Sequence, residues 1–324
     1  MRLFPLLALL AAGCATAPAP PATFANPVID ADFPDPAILR ANDGFYYVYA
    51  TQTERDGNWI NLQVARSRDL AHWQVLGDAL PAKPAWASRT QDFWAPHVVE
   101  QDGRYVLYYS AKPDAALSDD QKGLCLAVAT ARRPQGPFTD VGRPLLCGQS
   151  FVNIDPMAFE DPATGKRLLY WGSGFEPLKV RELAPGGLAF APGSQATELV
   201  PPVKGSGYEA LVEGSWVVRR GGFYYLFYSG DNCCGKDAHY AVMVARSRSA
   251  TGPFEKLGHP ILEASGHWLA PGHNSVIEDG RGRDWIVYHA VDTGHPGEPV
   301  NTRRIMLIDR LVWKEGWPVV AGRR

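Results

Sequence analysis

Residues 45–50 read Phe45-Tyr-Tyr-Val-Tyr-Ala50, a run of aromatic and β-branched side chains that returns four more times. The later copies are Tyr105-Val-Leu-Tyr-Tyr-Ser110, Leu168-Leu-Tyr-Trp-Gly-Ser173, Tyr224-Tyr-Leu-Phe-Tyr-Ser229 and Trp285-Ile-Val-Tyr-His-Ala290. Their starts lie about 60 residues apart, a spacing of one supersecondary unit per repeat. Side chains of this kind fit a pleated, buried strand. Turn signals ahead of the copies, such as Asn42-Asp-Gly44, Gln101-Asp-Gly103, Gly221-Gly222 and Gly280-Arg-Gly282, place each in a hairpin. A second phrase follows three of them: Val64-Ala-Arg-Ser-Arg-Asp-Leu-Ala-His-Trp73, Val128-Ala-Thr-Ala-Arg-Arg-Pro-Gln-Gly-Pro-Phe138 and Val244-Ala-Arg-Ser-Arg-Ser-Ala-Thr-Gly-Pro-Phe254. Each adds a strand and a closing turn. Five units of about four strands predict an all-β, five-bladed β-propeller, whose radial closure leaves only short edges. A pair of β-sandwiches does not require this self-similarity.

The rest of the composition agrees. Of the 324 residues, 46% are hydrophobic and 20% charged, enough apolar surface to exclude disorder for the bulk of the chain. With 32 Gly, 27 Pro, 10 Trp, 13 Tyr and 13 Phe, short strands and tight turns are favoured over helix bundles. Lys plus Arg (32) nearly balance Asp plus Glu (34), so the chain lacks the basic footprint of a nucleic-acid binder.

At the amino end, Arg2 precedes an apolar run from Leu3 to Ala12, too short to cross a bilayer and suited to an export signal. The small residues before Cys14 resemble a bacterial lipoprotein signal over residues 1–13. On that reading Cys14 becomes the lipidated mature terminus, and its acyl chains make the membrane contact, with the protein facing the periplasm or cell surface. An ordinary signal that discards Cys14 is the alternative. Residues 14–23, rich in Pro and Ala, are then a tether, and 24–324 a single propeller domain. Four cysteines remain, Cys125, Cys147, Cys233 and Cys234, for which three pairings are open. If Cys125 joins Cys147, the other bridge links adjacent residues, and strained rings of that kind tend to sit near functional sites.

Three acidic residues stand out by context. Asp35 lies in Asp32-Phe-Pro-Asp-Pro36, Asp155 in Phe151-Val-Asn-Ile-Asp-Pro156, and Glu213 in Leu211-Val-Glu-Gly-Ser-Trp216. Asp before Pro also suits a turn, but Glu213 opens an apolar strand and is neither a strand former nor a cap. In a propeller the innermost strands converge on one channel, so acids this far apart in sequence can share a small space.

The ordered set Pro-Asp-Pro, Ile-Asp-Pro and Val-Glu-Gly resembles glycoside hydrolase family 43. So do Phe93-Trp-Ala-Pro-His97, Gly272-His-Asn-Ser-Val276, and Arg304 nine positions before Trp313. The resemblance runs from Asn26 to Val320 and implies a five-bladed propeller, in agreement with the repeats. It implies Asp35 as general base, Glu213 as general acid, and Asp155 as the residue that raises and orients the acid. An inverting glycosidase needs this division, a carboxylate to activate water and a carboxylic acid to protonate the leaving oxygen. Burial and a neighbouring carboxylate keep such an acid protonated, while a cation keeps the base ionised.

By the same resemblance Arg304 contacts Asp35 or substrate, Trp94 is an aromatic floor under a pentose, and His273 faces the channel. His273 would stand near a calcium held largely through water, although calcium prefers oxygen ligands. His97 stands where the family more often carries an acid. The implied activity is release of terminal α-L-arabinofuranose from arabinan or arabinoxylan, with plant cell-wall polysaccharide as partner and no cofactor required for the chemistry. A β-xylosidase or an endo-arabinanase would use the same three acids. A catalytically silent carbohydrate-binding propeller would not need all of them.

Overall fold

The computed structural model describes residues 24–119, 121–235, 237–294 and 303–322. The signal and tether expected over residues 1–23, Cys14 included, lie outside the described residues. Five antiparallel sheets form the blades. In order outward, blade 1 contains Ala37–Arg40, Tyr46–Ala50, Gln63–Ser67 and Trp73–Asp78. Blade 2 has Phe93–Gln101, Arg104–Ala111, Cys125–Ala131 and Thr139–Asp140, with Leu146–Cys147 also paired to its third strand. Blade 3 has Met157–Glu160, Arg167–Trp171, Lys179–Glu182 and Thr197–Glu198, and blade 4 has Val212–Arg220, Phe223–Asn232, His239–Ser247 and Glu255–Lys256. Blade 5 has Trp268–Glu278, Asp284–Asp292, Arg304–Lys314 and Trp317–Val320. The first strand of each blade touches the first strands of both neighbours, closing a ring about the axis.

The repeated aromatic run is the second strand throughout. Flanked by sheet on both edges and by blades on both faces, it has no solvent side, and all of Tyr46–Ala50 is buried. That is why the run is continuously apolar instead of alternating. Its tyrosines also carry a polar end that needs a partner, and they reach across to the next blade. Tyr49 Oη donates to Pro134 O (2.6 Å), Tyr108 to Gly187 O (2.8 Å), Tyr170 to Ala250 O (2.6 Å) and Tyr225 to Gly316 O (2.6 Å). Blades 1 to 5 are stapled in this way at four successive interfaces. Residues from the start of the described chain contribute to the closure of blade 5 on blade 1. Val28 and Ile29 exchange backbone hydrogen bonds with Met306, and the Asn26 side chain bonds both N and O of Ile308.

Both disulfides are formed, Cys125 with Cys147 across paired strands and Cys233 with Cys234 immediately after the second strand of blade 4. Of the pairings left open by the sequence, the structure adopts the one with adjacent partners.

Candidate active site

Each innermost strand begins with the same backbone device. Asp35, Ala95, Asp155, Gly214 and His273, one per blade, have φ of 57, 47, 61, 62 and 46°. Left-handed conformations of this kind are costly for non-glycine residues and persist where the surroundings hold them. What holds most of them is a side chain at the end of the second strand, at or next to the last residue of the repeated run. The backbone N–H of Ala95 donates to Thr51 Oγ1 (2.8 Å), that of Asp155 to Ser110 Oγ (3.1 Å), and that of His273 to Ser229 Oγ (2.7 Å). Asp35 N–H donates to His289 Nδ1 (3.1 Å), an imidazole in the position where the other blades carry a hydroxyl. Blade 3 varies the pattern, because Ser173 Oγ donates to the Glu213 carboxylate (2.5 Å) and the Gly214 N–H donates instead to Asp155 Oδ2 (3.0 Å). Gly214 cannot be replaced cheaply: beyond its positive φ, a Cβ there would stand 3.3 Å from the His273 ring.

This device turns Asp35, Asp155, Glu213 and His273 into one cavity of about 550 Å³, which Trp94 and Arg304 also line. All six residues singled out in the sequence therefore meet. Asp35 is the most heavily held. Its Oδ2 accepts from Thr51 Oγ1 (2.5 Å), its Oδ1 accepts from Arg304 Nη1 (3.1 Å), and His273 Nδ1 and His289 Nδ1 stand 3.4 and 3.3 Å from Oδ1. Burial alone would raise this carboxyl, but the Arg304 guanidinium first and His273 after it outweigh burial and hold Asp35 well below the usual carboxylate range.

Glu213 is governed differently. Burial raises it first and the Asp35 charge adds to that, against the opposing hydrogen bonds from Ser173 and Tyr240 Oη (2.7 Å). Asp155 is raised well above its ordinary value, by burial first and then by Glu213 and Asp35. Both buried carboxyls thus favour retaining a proton beside a third that remains ionised. Burial is the largest cause at both groups, and the mutual repulsion belongs to the pair.

Four residues that hold the acid or the base were not read from the sequence as site residues: Thr51, Tyr240, Ser173 and His289. Tyr240 is buried, donates to Glu213, and lies parallel to the His289 ring at 5.9 Å, so one stack touches both the acid and the base. Burial lowers His289 to about 4, leaving it neutral with Nδ1 as the acceptor from Asp35. The sequence repeat hides it, because there Ala290 aligns with Ser110 and Ser229, whereas in strand register His289 takes their place. His97 is buried edge-on against Trp216 (5.0 Å) and does not line the cavity.

Side chains alone do not build a calcium cage at His273. His273 Nδ1 faces Asp35 and, at 3.8 Å, Asp155 Oδ2, and among the described residues no group of three or more His, Cys, Asp or Glu is set to hold a metal. Calcium prefers oxygen, so an ion beside His273 would draw most of its ligands from water, as the family resemblance implies.

Comparison with known proteins accords with this geometry. The chain is 28% identical over 301 residues to the extracellular endo-alpha-(1->5)-L-arabinanase 1 of Bacillus subtilis, covering 88% of this chain and 86% of that one. It is 27% identical over 320 residues to the extracellular exo-alpha-(1->5)-L-arabinofuranosidase of Cellvibrio japonicus, covering 89% and 86%. The crystal structure of a thermostable family-43 glycoside hydrolase superposes with a TM-score of 0.77 at 27% identity, over 93% of this chain and 96% of that one. Residues 24–318 match the family described as Glycosyl hydrolases family 43. Propeller, acidic cavity and family match coincide over the same residues, and the chain belongs to glycosyl hydrolase family 43, a glycosidase by that membership.

Proposed function

We propose that this glycosidase cleaves α-L-arabinofuranosyl linkages of arabinan or arabinoxylan side chains, releasing terminal arabinose with inversion. The observation that carries the reading is the division of charge in the cavity. Asp35 is kept ionised chiefly by Arg304, with His273 beside it, while burial keeps a proton on the Asp155 and Glu213 pair. Asp35 accepts a proton from water as that water attacks the anomeric carbon. Glu213 gives its proton to the departing glycosidic oxygen, and Asp155 holds the acid's loop through the Gly214 N–H. Trp94, half-buried on the cavity wall, offers a flat apolar face to the pentose. The chemistry uses only these side chains and water.

The similarity to an endo-acting relative supports a second reading equally, cleavage within an arabinan chain. The two are separated by product size. Incubation of residues 24–324 with debranched arabinan should yield arabinose alone from the earliest times. A ladder of oligosaccharides would assign endo action instead, and xylose from xylobiose would replace arabinose by xylose as the preferred sugar.

Export accords with the extracellular relatives. Attachment through a lipid on Cys14 is proposed from residues 1–14 alone. Cys14→Ala should release the protein from the membrane fraction and abolish incorporation of labelled palmitate; retention of both in the variant would overturn the anchor.

A further inference from the structure

The cavity wall holds one feature that the chemistry above leaves unused, the Cys233–Cys234 disulfide. Its position follows from the acid. Glu213 pairs in register with Ser229, and the strand that carries Ser229 runs on to Asn232 and directly into the two cysteines. The following strand returns through Tyr240, whose hydroxyl holds the Glu213 carboxylate. The disulfide therefore belongs to the acid's side of the cavity, whereas Asp35 is fixed from blades 1 and 5. Because the acid protonates the bond to the departing group, that group must lie on the acid's side.

The segment carrying the disulfide is braced. Asp231, at φ 71°, holds His239 Nδ1 (2.7 Å), and the His239 ring stacks on Tyr208 at 4.3 Å and 9°. Asn232 Nδ2 donates to Asp237 O (3.1 Å). Two linked sulfurs with their methylenes form a compact, polarizable, apolar surface on this support, with few internal rotations to lose on binding. From blade 3, Phe151 and Phe175 line the same cavity in an edge contact at 6.3 Å, and Phe175 is 65% exposed. An exposed phenylalanine at a cavity rim, itself at φ 63°, is poorly explained by folding and well explained by a ligand.

Resting on the arabinan reading, we propose that Cys233–Cys234 is a sugar-binding platform for the leaving-group residue, the disulfide and Phe175 contributing apolar walls of one subsite.

The test compares three forms on α-1,5-arabinotriose: wild type, Cys233→Ser/Cys234→Ser, and Cys233→Val/Cys234→Val. The serine pair removes both bridge and apolar surface, whereas the valine pair removes only the bridge. A platform predicts that KM rises about tenfold in the serine pair, the value of one good apolar sugar contact, with kcat within about twofold. The valine pair should retain KM within about threefold. Equal losses in both pairs would assign the disulfide a loop-locking role alone and overturn the platform, as would unchanged KM in the serine pair. If the pairs fail to fold, reduction by dithiothreitol is followed by mass spectrometry on the folded Glu213→Gln protein. Arabinotriose should slow the appearance of thiols at Cys233 and Cys234 at least fivefold while leaving Cys125–Cys147 unaffected, and absence of protection would overturn the proposal. Failure of wild type to cleave any arabino-oligosaccharide would instead remove the substrate reading, and the subsite with it.

Discussion

Asp35→Asn lowers kcat on arabinotriose by about three orders of magnitude, with KM within about threefold, as expected for loss of a general base whose replacement keeps its shape. The amide oxygen can still accept from Arg304, and its NH2 can donate to Thr51 Oγ1, the two groups that bond the Asp35 oxygens at 3.1 and 2.5 Å. Position is therefore conserved and proton acceptance is lost. The pH profile supplies an independent check. Asp35 is held well below 3.8, so the active, ionised form is present above that low value and is lost as pH falls through it. The acid limb of kcat/KM in wild type should accordingly lie below the range of an ordinary carboxylate. Arg304→Gln removes the strongest of the influences that lower Asp35, and should move that limb to higher pH by about one unit or more. Stopped assays across the acid range read both effects. An Asn variant retaining more than about a tenth of the wild-type rate would reject Asp35 as the base. An unmoved limb in Arg304→Gln would show that Arg304 binds substrate without tuning the base.

The propeller was legible because its repeat has a physical cause. A strand enclosed on every side must be apolar along its whole length, and tyrosines that staple one blade to the next recur at each interface, as Tyr49, Tyr108, Tyr170 and Tyr225 do. The acids were legible because Asp35 and Asp155 precede proline and Glu213 opens an apolar strand in which it is neither a strand former nor a cap. The shell behind them was harder to see. Thr51, Ser110, Ser173, Ser229 and His289 occupy one structural position, but their shared task, holding the left-handed residues or the acid beside them, exists only once blades meet. Tyr240 begins a third strand where an aromatic residue is expected for packing alone, so nothing in its sequence context marks the hydrogen bond to Glu213. The pairing of the cysteines was open for a similar reason. Spacing restricts the choice, and only the register of Cys125 with Cys147 selects it.

Glu213→Ala separates proton donation from every other contribution to catalysis. Arabinotriose has a sugar alcohol as leaving group, which departs slowly without a proton, so its hydrolysis should fall by about a thousandfold or more. The p-nitrophenyl arabinofuranoside releases an acidic phenol that needs little help, and its hydrolysis should fall by no more than about tenfold to thirtyfold. The alkaline limb should change with it. In wild type the pair of raised carboxyls keeps its proton to a pH above the ordinary range, and activity is lost as pH rises through that value. In the alanine variant acting on the aryl substrate, this limb should flatten, because no donor remains to be deprotonated. Tyr240→Phe and Ser173→Ala provide the control: each removes a hydrogen bond that opposes the raised value at Glu213, so the alkaline limb should move upward while the proton donor survives. Equal losses on both substrates in Glu213→Ala would mean that Glu213 builds the cavity without donating the proton. Asp155, the other raised carboxyl of the pair, would then be the group to test as acid.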